Sequence, residues 1–310
     1  MGGLLLIIQS SLSLEVVQTR IDQVLQSSDL AKEVFDYVAS AQGKGLRPSL
    51  VFLTFDLCDG TRFDEAIDSA TGVELVHMAS LIHDDIIDRS ELRRGQMTIH
   101  RKFGTQAAVL AGDRLFAAAF HLFALCTTHK VSQVMTAVIQ DMCVGEIDQL
   151  LSPVKTESDY LNYVRRKTAC LIGGCCRIGA ILSDASDLDE AYLQEFGENI
   201  GFAFQLTDDV LDYRGVDAEM GKEGGRDFTE RVWTLPIIRA YEEGLIPANW
   251  YMLDFAFVRS ILEGRRVFDE VWQMASDYVR KATTVLERFP DSTAKVELTA
   301  VAERLMKRRY

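Results

Sequence analysis

Proline is scarce: the chain has only five in 310 residues, at positions 48, 153, 236, 247 and 290. The long intervals between them leave room for helices of about twenty residues or more. No stretch alternates convincingly as a strand, and no linker-like segment divides the chain. Positive charge is in deficit as well, with 33 Lys+Arg against 46 Asp+Glu and a net charge of −13. That balance argues against nucleic acid as a partner and against a broad basic face for membranes. The opening MGGLLLIIQSS lacks a basic flank and its apolar run is short, so it reads as neither signal peptide nor membrane anchor. No later run reaches roughly eighteen uninterrupted apolar residues. The six cysteines (58, 126, 143, 170, 175 and 176) show no paired metal-ligand spacing, and Cys175 and Cys176 are adjacent. They read as reduced core residues of a cytoplasmic protein.

What the chain does hold is an acidic motif written twice. Asp-Asp-x-x-Asp occurs at Asp84-Asp85-Ile86-Ile87-Asp88 and at Asp208-Asp209-Val210-Leu211-Asp212, each inside an apolar stretch. Ionised carboxylates are costly in such a setting unless a cation compensates them. On a helix the first and last Asp of each copy share a face, separated by about 6 Å of rise. An oxygen-only array of this kind suits hard divalent cations, Mg²⁺ above all, and disfavours zinc. Two such clusters facing one another would hold a polyphosphate through metals. A solvated acidic helix face is the plain competitor for one copy. Two copies with matching apolar flanks weigh against it. A fainter echo places Glu74 and Glu198 ten residues before the first Asp of their copies.

Along the chain, residues 12–40 carry apolar positions at helical spacing (Val17, Ile21, Val24, Leu25), and residues 42–48 break the pattern as a loop. The pattern predicts helices over 48–58, 64–89, 105–127, 131–151, 157–182 and 188–213, with more after Pro236. Ser90 to Gly104 reads as a polar, basic loop. The apolar helix at 105–127 is expected to be buried on most sides. Residues 214–231 are rich in glycine and charge and read as a lid. The length would permit two domains, but the pattern favours one all-α domain over 1–310.

With these pieces in place, the chain resembles the trans-isoprenyl diphosphate synthases. The resemblance runs from about residue 40 to 236 and rests on ordered motifs: GKGLRP (43–48), ELVHMASLIHDDIID with SELRRG (74–95), FGTQAAVLAGD (103–113), GEIDQL (145–150), KTA (167–169), FGENIGFAFQLTDDVLD (196–212), and GKEGGRD followed by TLP (221–236). It implies a bundle of long helices around a central cavity, as a homodimer. It also implies head-to-tail condensation of isopentenyl diphosphate with an allylic prenyl diphosphate, releasing pyrophosphate. By resemblance, Asp84, Asp85, Asp88, Asp208, Asp209 and Asp212 hold two or three Mg²⁺ ions on the allylic diphosphate. Arg93, Lys167 and Lys222 contact the same group. Lys44, Arg47, His77 and Arg94 form the metal-free pocket for isopentenyl diphosphate, and Thr168 and Gln205 flank the carbocation. No side chain stands out as a general base, and the family uses released pyrophosphate as proton acceptor. Taken alone, each of these has a plainer reading: a surface cation, a core histidine, a salt bridge beside an acidic cluster, a packed glutamine.

One departure is evident. Relatives carry a Lys two residues before Thr-Leu-Pro, and this chain has Val232 with Arg231 beside it. Arg231 is expected to reach in from the neighbouring position. Failing that, either allylic binding is weaker than in relatives or the protein works as part of a heteromer. Product length in the family is gauged by side chains four and five positions before the first acidic motif, here Ser80 and Ala79. Both are small, which leaves an open tunnel and favours a long product of the octaprenyl sort, used for quinone side chains. Phe116, Phe120 or Phe123 is a candidate for the final stop, and Phe at position 79 should shorten the product. A shorter farnesyl or geranylgeranyl product and a non-catalytic subunit are the alternatives. A terpene cyclase is disfavoured by the repeated Asp motif and by GKGLRP.

Overall fold

The computed structural model describes residues 12–26, 29–40, 43, 45–152, 155–215 and 225–307. In chain order the first helices are α1 (Leu14–Leu25), α2 (Asp29–Ser40), α3 (Leu46–Leu57) and α4 (Phe63–Ile87). A hairpin of β1 (Leu92–Arg93) and β2 (Gln96–Met97) follows. Next come α5 (Ile99–Phe103), α6 (Thr105–Ala124), α7 (Lys130–Leu151) and α8 (Glu157–Val164). A π-helical turn over Arg165–Ala169 leads into α9 (Cys170–Leu182). The chain continues through α10 (Asp187–Arg214), α11 (Arg226–Thr229), α12 (Leu235–Glu242), α13 (Phe255–Gly264), α14 (Val267–Leu286) and α15 (Thr293–Met306). The all-α class expected from the sequence is what forms. The hairpin is the one strand pair among the described residues.

Local chemistry explains the boundaries. The Ser13 side chain accepts the Glu15 N–H at 3.0 Å to start α1, and Thr156 and Asp254 do the same for α8 and α13. Pro236 sits in the first turn of α12, where its missing N–H has no partner to lose. The residues read as a loop from 90 to 104 hold both the hairpin and α5. The hairpin closes on two residues, Arg94 and Gly95, both at positive φ (53° and 81°), as a type I′ turn requires. An arginine in that conformation costs about 1 kcal/mol.

Contacts group the chain into two compact units, residues 1–136, 175–191 and 292–297, and residues 137–174, 192–291 and 298–310. The first unit is built on α4, which packs chiefly along α6. Two glycines let those helices close up: a Cβ on Gly72 would meet the Phe123 ring, and one on Gly112 would meet the His83 ring. The expectation for α6 needs correction. Its Ala108, Ala111, Leu115, Ala119, Leu122 and Phe123 are buried, but Val109, Leu110 and Phe120 remain exposed, Leu110 to 67%. The helix carries more apolar residues than one stripe against α4 can use. By length and composition it could cross a membrane, yet its inner half is core.

In the second unit, Leu206, Val210 and Tyr213 of α10 are buried with Tyr160, Val164, Leu235, Ile238, Trp250, Phe268 and Val271. The helix expected over 157–182 is interrupted by the π turn, an insertion that leaves the apolar pattern on either side intact. Cys126, Cys170, Cys175 and Cys176 are buried, Cys58 is half-buried and Cys143 is exposed, so the core expectation fails for Cys143. All six are free thiols.

Candidate active site

In the first unit, the first acidic motif ends α4. Asp84 and Asp85 lie in its last turn and Asp88 caps it, with no basic residue in that turn. The negative end of the helix dipole therefore adds to the repulsion among the carboxylates. Asp84 is half-buried and Asp88 exposed. Asp85 is only 4% exposed and is already engaged. Arg93 Nε lies 2.8 and 3.0 Å from its two oxygens and Nη2 2.7 Å from Oδ1, so the hairpin carries a guanidinium onto the motif.

A second group in the same unit is cationic. Arg47 comes from the first turn of α3, Glu74 and His77 from α4, and Arg94 from the hairpin turn. Arg47 Nε is buried with no hydrogen-bond partner among the described residues. Burial lowers the Arg47 pKa, Glu74 opposes that, and Arg94 adds to it. Burial raises the Glu74 pKa against the pull of Arg47 and Arg94. Burial first, then Arg47, Arg94 and Arg93, holds His77 well below its ordinary value. A Cβ on Gly43 would come within 3.4 Å of both Arg94 Nη atoms and 3.5 Å of Glu74 Oε1, so the bare glycine backbone borders this group closely. Lys44 lies outside the described residues. Ser80, half-buried, donates to the His77 carbonyl at 2.9 Å. Ala79 is fully buried on the α4 face that also carries Gly72 and His83, the two residues that meet α6.

In the second unit, Asp208, Asp209 and Asp212 ride near the C-terminal end of α10. Asp209 is 2% exposed. It accepts from Tyr160 Oη at 2.7 Å, Gln205 Nε2 at 2.9 Å and the Leu235 N–H at 3.4 Å. Thr168 in turn donates to Gln205 Oε1 at 3.2 Å. Asp212 accepts the backbone N–H groups of Arg226 and Asp227 at 3.3 and 3.0 Å. Burial, offset by its hydrogen bonds, pushes the Asp209 pKa up to about 7. Burial, then Asp209, Asp212 and Glu230, pushes Asp227 up to about 8. Arg226 opposes the rise at Asp212 and Asp227 without cancelling it.

Lys167 and Thr168 sit on the π turn. Gly145 of α7 makes room for it, since a Cβ there would come 2.8 Å from Arg166 Cβ. Lys167 Nζ pairs with Glu146 at 2.7 Å. Lys222 and most of the expected lid fall outside the described residues. Arg231, exposed and at φ 62°, lays its guanidinium over the Tyr251 ring at 4.9 Å.

The sequence pattern did not single out Tyr160, Glu146 or Asp227. Glu146 and Asp227 stand inside the motifs GEIDQL and GKEGGRD. Tyr160 had no signal beyond lying one helical stretch before Lys167. Among the described residues no three His, Cys, Asp or Glu side chains converge into a closed metal cage. An open, oxygen-only donor set still fits a Mg²⁺-type ion, which keeps waters and takes further ligands from substrate phosphates.

Comparison with known proteins agrees with the motifs. The family model described as polyprenyl synthetase matches residues 28–249. A heptaprenyl diphosphate synthase component 2 from Geobacillus stearothermophilus is 32% identical over 310 aligned positions, covering 96% of each chain. A geranylgeranyl diphosphate synthase from Methanosarcina mazei is 34% identical, covering 88% of each chain. The crystal structure of a Caulobacter crescentus polyprenyl synthase, complexed with calcium and isoprenyl diphosphate, superposes with a TM-score of 0.84 at 30% identity over 96% of each chain.

Proposed function

Since this chain belongs to the polyprenyl synthetase family and is a prenyltransferase, we propose that it condenses isopentenyl diphosphate head-to-tail with an allylic prenyl diphosphate, releases pyrophosphate, and continues to a long-chain product. The observation that carries this reading is the buried, unpartnered Nε of Arg47 beside Arg94 and His77. A desolvated guanidinium without a full set of acceptors calls for an anion, and its fork suits phosphate oxygens. An anion that needs no metal fits here, as isopentenyl diphosphate would.

The allylic diphosphate is assigned to the acidic motifs. Asp84 and Asp88 in the first copy, and Asp208 and Asp212 in the second, would hold divalent ions, two or three Mg²⁺ by the family pattern. When bound, such ions stabilise the charge of a departing diphosphate as Lewis acids. Asp85 orients Arg93, whose guanidinium then faces growing negative charge on the leaving group. Lys167, held by Glu146, serves the same group, and Lys222 is assigned with it. The Thr168 and Gln205 dipoles steady the allylic cation. Pyrophosphate takes the proton.

Small Ser80 on the Asp84 face supports a long product, since each methylene moved from water into an apolar tunnel contributes about 0.8 kcal/mol. A second copy of the chain would cover the exposed Val109, Leu110 and Phe120 of α6, giving a homodimer.

Calorimetric titration with isopentenyl diphosphate in the presence of a chelator tests the reading. Wild type binds without metal, and Arg47→Met binds about 10²-fold more weakly. Binding that needs Mg²⁺, or that ignores Arg47, contradicts it.

A further inference from the structure

Asp209 belongs to an acidic motif, yet its carboxylate is spoken for. It is 2% exposed, and its three protein donors are Tyr160 Oη at 2.7 Å, Gln205 Nε2 at 2.9 Å and the Leu235 N–H at 3.4 Å. A carboxylate is acceptor-only when ionised, so the Gln205 carboxamide must turn its NH₂ toward Asp209. Its carbonyl Oε1 is thereby committed to the opposite side, where the Thr168 hydroxyl donates to it at 3.2 Å. With the carboxylate ionised, the orientation follows from donor and acceptor chemistry. A flipped amide would set Oε1 against a carboxylate oxygen and leave two like dipoles facing each other.

We propose that Asp209 and Tyr160 are positioning residues that fix the carbonyl of Gln205 toward the reacting allylic carbon, and that Asp209 is not a metal ligand. This inference rests on the proposed prenyl condensation. An amide whose oxygen is held toward a developing cation needs no reorganisation when charge appears, and preorganised dipoles of this kind lower a barrier most. Tyr160 is the outer member of the relay. Its hydroxyl and the Leu235 N–H both hold Oδ2, which keeps Asp209 against Gln205. The π turn supplies the other end, because it carries Thr168 on a turn with one extra residue.

The test is a double-mutant cycle on the full-length protein with Tyr160→Phe and Gln205→Met. Both are near in shape to the residue replaced, and thermal melting checks that each variant folds. Tyr160→Phe lowers kcat about 10-fold and leaves the allylic KM and the Mg²⁺ half-saturation within about twofold, since only one hydrogen bond to a charged acceptor is lost. In the Gln205→Met background the same change has no further effect, because the group through which Tyr160 acts is gone. Additive losses mean that Tyr160 supports the fold only, and they overturn the proposal.

Asp209→Asn gives the independent arm. Calorimetry with Mg²⁺ and a thiolo-diphosphate analogue of the allylic substrate, which does not ionise, shows unchanged affinity for a positioning residue. A loss of tenfold or more shows Asp209 to be a metal ligand and overturns the proposal. If Tyr160→Phe does not fold, this arm alone decides. Wild type that makes no prenyl product under any primer contradicts the reaction assignment instead, so the two failures are told apart.

Discussion

Arg93 and Asp85 are locked together, with guanidinium nitrogens 2.7, 2.8 and 3.0 Å from a carboxylate that is nearly excluded from water. The pair joins the last turn of α4 to the hairpin, and it sets where one cation stands beside the first acidic motif. Arg93→Lys keeps the charge and loses the fork, so kcat should fall about 10²-fold while the KM for isopentenyl diphosphate stays near wild type. Asp85→Asn should act in the same direction by releasing Arg93. Steady-state kinetics with each substrate varied in turn checks both. A rise confined to the isopentenyl diphosphate KM would place Arg93 in the other pocket.

His77 offers a pH test. Its pKa is held well below 6.5 by burial and by Arg47, Arg94 and Arg93. The unfolded chain therefore takes up the proton first, at about pH 6.5. Stability tied to neutral His77 is complete above that pH and is lost as the pH falls toward the folded value. His77→Gln removes this contribution, so the melting temperature of the variant should decline less than that of wild type between about pH 6.5 and pH 5. Parallel declines measured by calorimetry would show that His77 titrates normally.

Ser80 and Ala79 should separate product length from stability. Ser80 shares the Asp84 face of α4, so Ser80→Phe is expected to shorten the product and leave the fold intact. Ala79 is fully buried on the α6-facing side. Phe there overpacks that seam and should destabilise by about 1–3 kcal/mol whatever it does to chain length. Product chromatography and thermal melting on both variants read the difference. Full-length product from Ser80→Phe would move the tunnel elsewhere.

Leu110 is 67% exposed in the single chain, on the same helix as the exposed Val109 and Phe120 of α6. Leu110→Glu should halve the mass seen by sedimentation, because a charge in a buried apolar interface is not repaid. An unchanged mass would leave this face without a partner copy.

The sequence made some of this legible and hid the rest for identifiable reasons. Val17, Ile21 and Leu25 repeat at helical spacing and are buried on α1, so periodicity found the helix. The acidic motifs were visible because carboxylates in apolar stretches are anomalous. That Asp85 and Asp209 are engaged by Arg93 and Tyr160 was not visible, since both are tertiary contacts and Tyr160 lies 49 residues from Asp209. The hairpin was missed because its strands have two residues each and its turn uses Arg94 where asparagine or glycine would signal it. The π turn left no mark in the apolar pattern. The α6 helix misled for another reason: composition reports how apolar a helix is and says nothing of what covers it.

Incubating purified protein with labelled isopentenyl diphosphate, farnesyl diphosphate and Mg²⁺, and reading product length by chromatography, tests the central assignment most directly. A long linear prenyl diphosphate, made by this chain alone, is the predicted result. No product from folded protein with any allylic primer would contradict it, and would turn attention to Val232 and a missing partner subunit.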